Sequence, residues 1–221
     1  MTVRPPQKYA LSGANLKAIA MVSMLIDHIA VVFLEHHPAE WLYTTMRMTG
    51  RLAFPLFAFL LAVGFYKTRH IGRYALRLGA FAFLSEIPFD YAFFGQINRG
   101  YQNVFFTLWI GLMMLALVHR TKAVWLQGLL FLFCGAVAHF IASDYGFLGI
   151  AIIGMMALVY KNPNSWLWPA VVLLLAQYTA PLAMLPIRRY DGSRGKQSKW
   201  LLYAFYPGHL GLFYLIGRWT G

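Results

Sequence analysis

Apolar residues run for about 18–22 positions at a time along this chain, the length an α-helix needs to cross a hydrocarbon core. Eight such segments can be read off, at roughly 15–34, 52–66, 74–94, 104–118, 124–141, 145–160, 166–187 and 200–217. Within them apolar and polar residues do not alternate, which excludes the two-residue period of a membrane β-barrel. Helices satisfy their own backbone groups, as lipid demands. The expected fold is all-α: a polytopic integral membrane helical bundle of about eight transmembrane helices, forming one domain over 1–221. Several segments are near the short limit for a full crossing, so a re-entrant or tilted piece is compatible with the pattern.

Composition agrees with that reading. Of 221 residues, 60% are hydrophobic and 12% charged, about half the charged share of a soluble domain. The net charge is +12. In a soluble protein that would suggest nucleic acid, but here the basic residues lie mostly between the apolar runs, where they orient helices and attract anionic headgroups. Membrane lipids are therefore the expected surroundings and nucleic acid is not an expected partner. The first apolar run is too long for an ordinary signal core and is expected to stay as an anchor. Cys134 is alone inside "LLFLFCGAVA" and reads as core.

With eight crossings, eleven of the Lys and Arg residues fall on the amino-terminal side and eight on the other. That excess places both termini inside. It also places the basic tract "RRYDGSRGKQSK" (188–199) outside, so either the tract acts there or one segment fails to cross.

Ionisable groups inside apolar segments are costly and tend to be functional. Asp27 and His28 lie deep in the first segment. Lys17 is eleven residues before His28, within about 20° of the same helix face and roughly 16 Å away along the axis. Such a face, with a cation at its mouth and an imidazole inside, suits an elongated ligand with a phosphate tail, and a buried neutral imidazole can act as a general base. The alternatives are a snorkelling lysine and a histidine bonded to a carbonyl. Asp27 points about 100° from His28, towards the face of Ser23, and is expected to pair with another helix. Arg51 needs a partner, for which Asp27, Glu86 and Asp90 are candidates, unless it sits at the interface and bonds a lipid phosphate. Glu86 and Asp90 are one turn apart around Pro88, suited to acid chemistry or to an ion pair with Arg51.

Asn103 opens the next helix and can bond a substrate carbonyl or cap the helix. Arg73 and Arg77, in "KTRHIGRYALR", are one turn apart and suited to gripping phosphates or anchoring to headgroups. His209 follows Pro207-Gly208 within a cluster of Tyr203, Phe205 and Tyr206, as a binding residue or a satisfied core histidine. His36 and His37 adjoin each other without ligand spacing, and no metal site is expected.

The ordered strings "LSGANLKAIAMVSMLIDHIA", "GRLAFPLFAFLLAVGF", "RLGAFAFLSEIPFDYAFF", "QNVFFTLWIGLMML" and "KQSKWLLYAFYPGHL" resemble the TraX family over about half of the chain. Members are multi-pass bacterial inner-membrane proteins, and the founding one acetylates the amino terminus of conjugative pilin. A basic residue, ten others and then His is also similar to the type-3 membrane acyltransferases, although Lys17 stands where those proteins have Arg. The resemblance implies a membrane-embedded acetyltransferase using cytoplasmic acetyl-CoA and acting on a protein amino terminus or a cell-envelope glycan or lipid. His28, Asp27 and Glu86 would be catalytic. Lys17, Arg51, Arg73, Arg77, Asn103, Tyr206 and His209 would bind the donor. The competing expectation is a proton-coupled transporter or export partner using Asp27, His28, Glu86 and Asp90 as a relay. A structural subunit whose buried charges only lock helix packing is the third.

Overall fold

The computed structural model describes residues 10–35, 38–196 and 198–220; His36 and His37 lie outside them. Ten α-helices follow in order: α1 (Gly13–Leu34), α2 (Glu40–Gly50), α3 (Ala53–Lys67), α4 (Ile71–Phe94), α5 (Val104–Arg120), α6 (Val124–Phe140), α7 (Gly146–Lys161), α8 (Leu167–Gln177), α9 (Met184–Arg188) and α10 (Lys199–Thr220). No β-sheet forms among the described residues.

Helix α1 starts at a capping box. The Ser12 hydroxyl accepts from the Asn15 amide at 3.3 Å, and the Asn15 side chain accepts from the Ser12 amide at 3.0 Å. Helices α1, α4 and α10 run the same way, as ring contacts along their length show: Phe33 on Phe213, Tyr91 on Tyr214 and His28 on His209. Helices α3, α5 and α7 run back, with Phe54 stacked on Tyr145 near one end and Tyr66 on Tyr160 near the other. Leu16, Leu56, Leu112, Ile150, Ile153 and Met156 fill the core between them with no exposed surface.

The outward faces are also apolar. Phe83, Leu84 and Ile87 on α4, Trp125, Phe133 and Phe140 on α6, and Leu158 on α7 are all exposed. So many exposed large apolar side chains are rare on a water-soluble monomer. The α1 helix and the Glu40–Lys67 stretch are each long and apolar enough to cross a membrane. These features are those of a membrane protein.

Two departures from the sequence reading matter. The first is α2, in a stretch that no apolar segment covers: an eleven-residue helix lying along α1. It ends at Gly50, where a Cβ would collide with the Asp27 side chain. Ser23 donates to the carbonyl of Thr49 at 2.6 Å, closing the end of α2 against α1. The second is the 166–187 segment, which is broken rather than continuous. Helix α8 stops at Tyr178, whose φ of 26° no regular helix adopts. A 3-10 turn and the short α9 then bring the chain back, so that the Arg188 guanidinium lies over the Trp166 ring. This segment is a hairpin whose two ends meet.

The hairpin decides where the basic tract lies. Leu11 donates to the Arg189 carbonyl at 2.8 Å, and Gly13 donates to that of Ser193 at 2.9 Å. Lys67 donates to the Gly192 carbonyl. The tract therefore straps across the start of α1 and the end of α3, beside Lys17 and not opposite it. Of the seventeen Lys and Arg at described positions, thirteen lie at this end of the bundle and only Arg47, Arg51, Arg99 and Arg218 at the other.

Gly50 tests how tightly α2 is held. Gly50→Val is expected to lower unfolding stability in detergent by about 1–3 kcal/mol, because Asp27 cannot retreat without leaving Arg47. An unchanged thermal midpoint would contradict this packing.

Candidate functional site

Two cavities meet in the middle of the bundle. The first, about 350 Å³, is lined by the basic residues Lys17, Lys67, Arg77 and Arg194 and by Tyr74, Tyr203 and Tyr206. The second, about 300 Å³, is lined by His28 together with Asp27, Arg47, Arg51, Asp144 and a wall of aromatic residues. Met24, Phe57 and Val104 line both cavities and form the partition between them.

In the first cavity Lys17, half a helix from His28, shares the mouth with Arg194 of the strap. Arg77 packs its guanidinium 5.9 Å from the Tyr74 ring and beside the Tyr203 hydroxyl, while its Nε is buried without a partner. An unpartnered guanidinium N–H in an apolar setting is a donor awaiting an acceptor. Arg73, one turn earlier, is exposed and outside the cavity. Arg77 turns inward because Tyr74 and Tyr203 offer its planar group a stacking and bonding surface; nothing comparable faces Arg73.

In the second cavity Asp27 forms an ion pair with Arg47 at 2.5 Å through Oδ2. Asp27 Oδ1 is buried without a partner. Arg51, expected to pair with a carboxylate, lines the cavity near Asp27 and Asp144 while Arg47 holds the bond. His28 Nδ1 lies 2.7 Å from His209 Nε2, and His209 Nδ1 lies 2.6 Å from the Phe205 carbonyl. Phe93 and Tyr206 meet the His28 ring edge-on. His209 is thus a partner of His28 and not a cavity wall.

Glu86 and Asn103 lie elsewhere. The Asn103 side chain caps α5, accepting from the Phe105 amide at 3.0 Å, and donates to the Ala82 carbonyl at 2.8 Å and to Glu86. With no exposed surface, this amide is spent on the helix start and on Glu86. Glu86 faces that cap instead of Arg51 or His28, and Asp90 accepts from the Asn98 amide at 3.0 Å. Asp27, His28, Glu86 and Asp90 therefore bond to four different partners and do not form a chain of carriers among the described residues.

Asp144, in the turn between α6 and α7, was not singled out in the sequence. Tyr101 donates to it at 3.0 Å. Burial is the main cause lifting its carboxyl to about 6, with the Tyr101 bond and Arg51 opposing and Asp27 adding to the rise. The backbone beside it turns with positive φ at Tyr145 and Gly146, which no hydrophobic pattern in the sequence announces.

A family model described as TraX protein matches residues 12–217. The chain belongs to the TraX family. Similar proteins within reach of this TraX chain include a probable fimbrial assembly protein FimC, serogroup H1, from Dichelobacter nodosus, 29% identical over 91% of this chain and 93% of that protein. Protein TraX of Escherichia coli is 24% identical over 66% of this chain and 55% of that protein. No solved structure gives a significant match.

Asp144 predicts a pH response. Its carboxyl binds a proton more tightly folded than unfolded, so it contributes stability below about pH 4 that is lost as pH rises to about 6. Thermal midpoints measured across this range are expected to fall more steeply for the wild type than for Asp144→Asn; identical slopes would refute the burial.

Proposed function

We propose that this TraX-family protein is a multi-pass acetyltransferase of the bacterial inner membrane. It moves an acetyl group from acetyl-CoA to an amine or hydroxyl of a protein or cell-envelope acceptor. The observation that carries this reading is the pair of cavities sharing one partition, a basic mouth on one side and an unsealed imidazole on the other. The concentration of Lys and Arg at the Lys17 end favours that end being cytoplasmic, where the donor is found.

Lys17, Lys67, Arg77 and Arg194 would meet the donor phosphates, with Arg77 Nε supplying a donor that has no protein partner. The thioester would pass the partition of Met24, Phe57 and Val104 towards His28. The acceptor N–H or O–H would be held by Asp27 Oδ1, the free acceptor in the second cavity. As the acceptor heteroatom bonds to the thioester carbonyl carbon, His28 takes its proton. The C–S bond then breaks, the acetyl group stays on the acceptor, and the coenzyme thiolate recovers the proton from His28. Arg47 holds Asp27 in place through the 2.5 Å pair. The fimbrial-assembly name of the Dichelobacter relative makes a pilin-type subunit the first acceptor to try.

Reconstituted protein, labelled acetyl-CoA and an envelope extract supply the test. Wild type should transfer label to an extract component, and His28→Gln should lose about 10²–10⁴ in turnover while binding donor as before. Arg77→Leu should weaken donor binding with His28 intact. Full-speed transfer by His28→Gln, or no donor binding by the wild type, would end the proposal.

A further inference from the structure

The geometry points to His209 as a positioning residue that selects the tautomer of His28; this inference rests on the acetyltransferase reading. The Phe205 carbonyl can accept but never donate, so the 2.6 Å contact requires the proton on His209 Nδ1. A neutral His209 then has a bare lone pair on Nε2. At 2.7 Å from it, His28 Nδ1 must carry the proton of that bond. The remaining nitrogen of His28, Nε2, is left unprotonated on a ring that lines the second cavity. It is the basic atom the transfer step requires.

The backbone of α10 thus dictates, through one imidazole, which nitrogen of a second imidazole is the base. When His28 Nε2 takes the acceptor proton, its Nδ1–H already points at a lone pair, so the new positive charge is shared with His209. A carboxylate does this in many catalytic pairs; here a neutral ring does it without adding a net charge among Phe205, Tyr206 and Phe213. His209 is only 7% exposed, and its other neighbours are Phe205, Tyr206 and Phe213.

The tautomer can be read without turnover. In protein carrying ¹⁵N-labelled histidine, with the His28 signals assigned by difference against His28→Gln, wild type should show a protonated Nδ1 and a bare Nε2. His209→Leu should lose that preference and at least about tenfold in kcat, with donor KM within about twofold. His209→Gln, whose carbonyl oxygen can accept from His28 Nδ1–H, should restore both. A wild-type His28 protonated on Nε2, or a His209→Leu protein with unchanged signals, would overturn the assignment. Correct signals without any acetyl transfer would leave the pair standing and remove the enzyme reading instead.

A separate observation concerns a third cavity, about 500 Å³, between α5, α6 and α7. It is polar at one end only. His119, Gln127 and Lys161 stand at the basic end of the bundle, and Lys161 also lies 5.3 Å from the Tyr66 ring centroid. From there the α7 wall extends to Ala151, about 15 Å inward, past Phe131 and Met155. Exposed Leu158 leaves the groove open sideways. We infer that this groove holds one anionic phospholipid, its phosphate at Lys161 and His119 and an acyl chain along α7.

Thermal unfolding of delipidated protein tests this. Phosphatidylglycerol should raise the midpoint more than phosphatidylcholine with the same chains, and glycerol phosphate alone should not raise it. In the double variant Lys161→Gln, His119→Gln the two lipids should become equal. Equal responses in the wild type, an undiminished difference in the variant, or an equal effect of glycerol phosphate would contradict the site.

Discussion

The face of α1 that carries Ser23 and Asp27 sets the arrangement of the rest. Polar groups at this depth have little water to bond, so each must find a protein partner or lose several kcal/mol. Ser23 closes the end of α2 and Asp27 takes Arg47, with Gly50 pressed between them. That clamp fixes the α2–α3 junction against α1. Arg51, Phe54 and Phe57 follow from the junction and define both the second cavity and its partition from the first. His28, one residue beyond Asp27, is carried on the adjacent face to meet α10. Two neighbouring residues therefore perform different tasks, one holding the bundle and one facing the cavity.

The strap over the start of α1 is the second organising feature. Because the α8–α9 hairpin returns the chain to the end it left, the 188–196 tract joins Lys17 and Lys67 at one mouth. A basic cluster drawn from three distant parts of the chain is the kind of site that recognises several phosphates at once. The same hairpin turns a weak imbalance of basic residues into a strong one between the two ends of the bundle.

Much of this was legible in the sequence. Seven of the eight apolar segments are continuous helices near their expected bounds, because length and hydrophobicity suffice to define them. Lys17 and His28 were placed on one face by helical periodicity alone. The hairpin was not legible: its residues are as apolar as those of a crossing helix, and only the backbone at Tyr178 separates the two. Helix α2 was hidden by its polar composition. Asp27, expected to pair with another helix, does so through Arg47, one turn before the Arg51 for which it was one of three candidate partners, since choosing between the two arginines depends on where α2 ends. Arg73 had the right chemistry but its surroundings direct it outward, whereas Asn103 follows the helix-cap alternative that its position at a helix start allowed.

The central claim is that a donor seated among the basic residues delivers its acyl end through the shared partition to His28. Photo-crosslinking with an acyl-CoA analogue whose acyl terminus carries a diazirine tests it directly, followed by mapping of the modified peptides. Attachment at Met24, Phe57 or Val104, abolished by excess acetyl-CoA, is the result this account predicts. Attachment confined to the outer helix faces, or none that acetyl-CoA displaces, would contradict it.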